Sequence, residues 1–100
     1  MSDDDFSFAL PAFKPDEALL KLKRELREAG LTEREGRFER RGTVIAKAVV
    51  DGALIQAGLV KRPSRSSPDW TMRPLKSAAE VRDFMADLKR KLAAWSDSDD

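Results

Sequence analysis

Three serines share a short segment with a lysine in Lys61-Arg62-Pro63-Ser64-Arg65-Ser66-Ser67-Pro68, and Ser beside Lys is a conceivable nucleophile and base. Such a pair works only when its geometry is held, and a loop flanked by Pro63 and Pro68 is a poor frame for that. The chain contains no His, Cys or Tyr. These absences remove the commonest general base, the usual partner of a nucleophilic Ser, thiolate chemistry and the commonest transition-metal ligand. The paired acids Glu33 with Glu35, and Asp97 with Asp99, fall near a helix end and in a charged tail, without the burial that acid–base catalysis exploits. The five glycines, at 30, 36, 42, 52 and 58, stand at separate punctuation points instead of forming a phosphate loop. The expectation is a protein that is not an enzyme and takes no cofactor or metal.

Anion binding has more support. Net charge is only +1, yet residues 37–76 hold nine Lys or Arg against three Asp or Glu, between two acid-rich flanks. Arg37, Arg40 and Arg41, with Lys61, Arg62 and Arg65, form one basic patch if strand pairing returns the sixties alongside the early forties. Alternation along strands splits such residues between two faces, so a rim is expected instead of a platform. Phe38 and Trp70 are the aromatics available for stacking, and both also suit a core. The competing reading is that these cations keep exposed sheet edges from pairing with other chains.

A second candidate contact is the amino-terminal "DDDFSFALPAF". It carries Phe6, Phe8 and Phe13 with no helical period. It reads as an extended arm over residues 1–13 that packs along the domain, or as a docking peptide whose alternate aromatics suit strand addition to a partner. Phe6, Phe8 and Trp70 are the candidate partner contacts. The terminal "SDSDD", within residues 96–100, reads as an acidic disordered tail.

The elements that must position these residues are marked by helical period and caps. Pro15, Asp16 and Glu17 open a helix whose apolar residues recur at Leu19, Leu22, Leu26 and Ala29, and Gly30-Leu31 close it. Ser77 to Glu80 is a capping box, followed by the stripe Val81, Phe84, Met85, Leu88, Leu92 and Trp95. Between the helices, residues 43–58 fit two descriptions. As a hairpin turning at Asp51-Gly52, Ala48 faces Ile55, Val44 faces Leu59, and Lys47 meets Gln56 on the opposite face. As a helix begun at Thr43 and capped at Gly58, the segment would hold several β-branched residues and an interior Gly52. Register favours the hairpin. "GRFERRG" supplies an earlier strand with Gly42 as a bulge, and "DWTMRPL" a final one whose Pro74 suits an edge.

The result is an α+β domain over residues 14–95: an N-terminal helix, an antiparallel meander of three to four strands and a C-terminal helix, with both helices on one sheet face. One hundred residues bury about two-thirds of the surface of the unfolded chain, enough for one core. This order resembles the double-stranded RNA-binding domain in topology. That family places a Lys-rich cluster at the start of its last helix, where this chain has Ser77 to Phe84, acidic and apolar, so no family residue carries over.

The acidic start lacks the basic, apolar form of a secretory signal, and no apolar run approaches the roughly 18 residues of a membrane span. A cytoplasmic, soluble protein is expected, with no membrane contact. Taken together, the residues suggest a small binding or adaptor domain for an unidentified protein partner, or alternatively a nucleic-acid-binding module using the basic middle.

Overall fold

The computed structural model describes residues 13–64 and 66–97. Helix α1 spans Pro15–Glu28, with Pro15 in the first turn, where a missing N–H costs nothing, and Asp16 and Glu17 at the positive end of the dipole. Gly30 ends it by taking φ +97°. Its N–H donates to the Arg27 carbonyl at 3.0 Å and that of Leu31 to the Leu26 carbonyl at 3.1 Å, the two bonds of a Schellman motif. Leu22, Leu26 and Leu31 are buried.

Five strands follow: β1 (Thr32–Arg34), β2 (Arg37–Arg40), β3 (Thr43–Asp51), β4 (Leu54–Val60) and β5 (Trp70–Leu75). They form one antiparallel sheet in the order β1-β2-β3-β4-β5. Residues 43–58 are therefore a hairpin, and the meander has one strand more than the three to four expected. Strand β1 escapes pattern reading because its three residues contain no apolar alternation.

Turn chemistry sets the pairing. Glu35-Gly36 and Arg41-Gly42 each put two successive residues at positive φ, as a type I′ hairpin turn requires. Gly42 is thus a turn residue and not the expected bulge. The bulge lies in β3, where pairing passes from Phe38↔Ala46 to Glu39↔Val44 and leaves Ile45 over. That extra residue explains why Ile45 and Ala46, adjacent in the chain, are both buried. At the next turn Asp51 pairs with Leu54, so Gly52-Ala53 and not Asp51-Gly52 makes the reversal. Only Gly52 of these takes positive φ, which suits a type II′ turn. Ala48 consequently faces Ala57, and Lys47 faces Gly58 and not Gln56. The partner moves by two residues, so the side chains from Ala46 onward keep their expected faces, whereas Val44, before the bulge, pairs with Glu39 and leaves the face of Ala46 and Ala48.

Helix α2 spans Ala78–Asp97. Ser77 Oγ accepts the N–H of Glu80 at 3.2 Å, and the Glu80 carboxylate accepts the N–H of Lys76 at 2.6 Å, one residue before the usual target of a capping box. Val81, Phe84, Met85, Leu88 and Leu92 are buried, with Trp95 packed partly against them.

Both helices lie on the face that carries Phe38, Ala46, Ala48, Ala57 and Leu75. Two ion-pair sets mark this. Glu33, paired with Phe38 in register, reaches Lys23 (3.1 Å) and Arg27 (3.4 Å) of α1. Arg73, paired with Ala57, donates to Asp87 of α2 at 2.8 Å, and Arg90 also contacts Asp87. The small side chains of Ala46, Ala48 and Ala57 leave room for close approach, while Phe38, Phe84 and the leucines fill the space. Full burial of each large apolar group contributes about 1.5–3 kcal/mol. Among the described residues, no helix is long and apolar enough to cross a membrane.

Candidate functional site

With both helices on one side, the other sheet face is uncovered by any helix, and register determines what it displays. Arg34 pairs with Arg37, Arg37 with Lys47, Lys47 with Gly58 and Gly58 with Met72, so a single row crosses all five strands. Its first three members are cations. Neighbouring strands lie about 4.8 Å apart, which sets three positive charges within roughly 10 Å. Like charges directly opposite one another destabilise a sheet. Among the described residues, neither Arg34 nor Arg37 forms an ion pair that would offset this.

The cationic row ends on an aromatic. Lys47 Nζ lies 4.3 Å from the centre of the Trp70 ring. Gly58 makes this possible, because a Cβ built there would stand 2.8 Å from Met72 Sδ, 3.0 Å from Trp70 Cε3 and 3.1 Å from Lys47 Cγ. Three side chains from β3 and β5 thus close over a glycine on β4. Trp70 is half-buried and its ring is already engaged by an ammonium, so it is not a vacant stacking platform.

Beside the row, Val49 is 60% exposed and Met72 48%. Large apolar side chains so exposed on a sheet face invite a contact. They border a groove of about 460 Å³ whose walls include Leu19 and Lys23 of α1, Arg37 after the first turn, and Lys47, Val49 and Met72 on the sheet. The groove follows from unequal strand lengths. Pairing with β2 stops at Lys47 while β3 continues to Asp51, so residues 48–51 have no β2 partner. Glu35 is the one acid among the groove's walls, against three cations.

The basic residues singled out from the sequence separate into groups. Arg37 stands in the cationic row, at the start of β2. Arg40, at its other end, turns to the helix side and donates from Nη1 to the Leu92 carbonyl at 3.4 Å. Arg41 occupies the β2–β3 turn. Lys61 and Arg62 are exposed where β4 enters its loop, at the same end of the sheet as that turn. There Lys61 N–H donates to the Asp69 carbonyl at 2.8 Å and closes the loop. Arg65, Phe6 and Phe8 lie outside the described residues, as do residues 1–5 and 98–100.

Sequence reading did not single out Arg34 and Lys47. The available signal was the Glu-Gly turn: Arg34-Glu35-Gly36-Arg37 sets the two arginines opposite each other across a two-residue reversal. Lys47 needed the bulge as well, because in a regular strand it would share the face of Thr43, four residues earlier, and the extra Ile45 carries it to the opposite face, in line with Arg37.

A separate electrostatic feature sits on the helix side. The Arg73 side chain hydrogen-bonds Asp87 and lowers its carboxyl below the ordinary aspartate range, with smaller contributions from the charges of Arg73, Arg90 and Lys91 working against burial. Arg73 also lies 5.5 Å from the Phe84 ring centre. This cluster ties β5 to α2 and is structural. Among the described residues no group of three acidic or other metal-ligating side chains gathers.

The chain matches no family model, no curated protein and no solved structure.

Proposed function

We propose that this is a non-catalytic protein-interaction domain, acting in the cytoplasm, that binds an acidic peptide segment carrying apolar side chains on its helix-free sheet face. The observation that supports this most is the aligned Arg34–Arg37–Lys47 row beside exposed Val49 and Met72. Opposed cations cost stability, and an anionic partner would convert that cost into affinity. The adjoining apolar side chains favour a peptide over a phosphate backbone, which offers little for Val49 or Met72 to contact. Nucleic acid is the alternative reading, drawn from the same cations. Against it stand the Lys47-covered Trp70 ring and the narrowness of a single row.

Selection from a displayed library of twelve-residue peptides, run on the wild type and on Arg37→Glu/Lys47→Glu, tests the proposal. Enrichment of acidic sequences with Phe, Leu or Trp, lost in the variant while its denaturation midpoint holds, is the expected result. Oligonucleotide binding with a steep log–log salt slope, together with no peptide enrichment, would transfer the face to nucleic acid.

A further inference from the structure

The groove beside β3 and the residues that precede α1 are complementary in three independent respects. The first is charge. The walls hold Lys23, Arg37 and Lys47 against Glu35, whereas the chain before α1 holds Asp3, Asp4 and Asp5 and no cation among its side chains until Lys14. The second is pattern: Phe6, Phe8 and Leu10 alternate, which places all three on one side of an extended segment. Leu19, Val49 and Met72 are the apolar groups that would receive them. The third is main-chain capacity. Residues 48–51 of β3 have no β2 partner, so part of their N–H and C=O groups is open to an added strand.

Reach is satisfied as well. Phe13 packs against the core at the start of α1, and Leu19, one wall of the groove, is six residues further on, about 9 Å along a helix. Twelve residues extend to about 40 Å at most, well beyond the roughly 10 Å over which the three cations of the row are spread.

We propose that residues 3–10 dock in this groove on their own molecule, with the backbone along β3, Phe6 and Phe8 against Leu19, Val49 and Met72, and Asp3 to Asp5 over the cationic row. The arm is then an internal competitor for the face. A short tether raises its local concentration to the millimolar range, so an external peptide must displace it. This proposal rests on the partner chemistry proposed above, yet it concerns a contact within one chain and can fail alone.

The chain has no Cys, so Ser2→Cys offers a single site for a nitroxide label on the full-length protein. Amide signals of Lys47, Val49, Gln56 and Met72 are expected to lose most of their intensity, and Arg37→Glu/Lys47→Glu to restore it at Val49 and Met72. The same signals are expected to stay intact in isotope-enriched unlabelled protein mixed with nitroxide-bearing protein of natural abundance. Losses in that mixed sample would assign the groove to a second copy and overturn docking within one chain. Losses confined to α2 or residues 61–69, or no loss at all, would overturn it equally. No external peptide enters the measurement, so a negative result leaves peptide selection untouched, and failed selection leaves this result untouched.

Discussion

Lys47 and Trp70 meet across Gly58: the ammonium stands 4.3 Å from the ring centre, and the glycine between their strands has no side chain to hold them apart. A strand interior ordinarily disfavours Gly, so Gly58→Ala would gain stability if backbone preference decided. Packing decides here. The new Cβ would meet Met72 Sδ at 2.8 Å, which a flexible side chain can relieve, and Trp70 Cε3 at 3.0 Å, which a ring cannot relieve without moving off Lys47. Gly58→Ala is expected to lose about 1–3 kcal/mol in urea denaturation and to shift the Trp emission. Equal or greater stability would show that the three side chains do not close over the glycine.

The Lys47–Trp70 contact itself is worth measuring as a coupling. Half-exposed cation–π pairs contribute about 0.5–1 kcal/mol. A double-mutant cycle of Lys47→Gln and Trp70→Leu should return a coupling in that range; additive losses would mean that the pair contributes nothing beyond separate packing.

Charge on the open face leads to an outcome opposite to the usual one for an arginine. Arg37 stands between Arg34 and Lys47, so Arg37→Glu turns two like-charge oppositions into two attractive pairs. Stability should rise by about 0.2–1 kcal/mol at low salt, and the gain should shrink as salt is added. Binding to acidic peptide should fall in the same variant. A loss of stability on Arg37→Glu would mean that the arginine has a structural partner.

Asp87 governs the acid limb on the helix side. Its folded-state pKa is lowered, so its ionised form contributes stability that is present above the ordinary aspartate value near 3.8 and is lost as pH falls through the lowered value. Asp87→Asn is expected to cost about 1 kcal/mol at neutral pH, modest because Arg73 and Asp87 keep partial solvent access. The difference from wild type should vanish at pH values below the lowered pKa. Urea midpoints measured down a pH series check this, and a difference that persists unchanged into strong acid would assign the effect to shape instead of charge.

The helices were legible because their signals are local. Pro15 with Asp16, Gly30 after Ala29, and Ser77 with Glu80 lie within a turn or two of the bonds they make, and the stripe from Val81 to Leu92 repeats often enough to define a face. The hairpin was legible in its faces but not in its pairing. Asp51-Gly52 and Gly52-Ala53 both make sound two-residue turns, and the two registers keep the same side chains inward, so hydrophobic pattern does not separate them. The candidate site was the least legible part. Arg37, Arg40 and Arg41 are close in sequence, yet Arg40 is carried to the helix side by alternation, while Arg34 and Lys47 join Arg37 only through a turn and a bulge. Like-charge alignment becomes visible only once register is known.

The helix-free face around Arg37 and Lys47 is proposed to receive an acidic, apolar peptide. Amide shift mapping of the full chain, titrated with the most enriched peptide from the selection, tests it directly. The largest perturbations are expected at Arg34, Arg37, Lys47, Val49, Gln56 and Met72, with the Trp70 indole N–H moving alongside them. Perturbations centred instead on α2, or on Lys61 and Arg62 with the open face unmoved, would place peptide binding elsewhere and rule out the open face as its site.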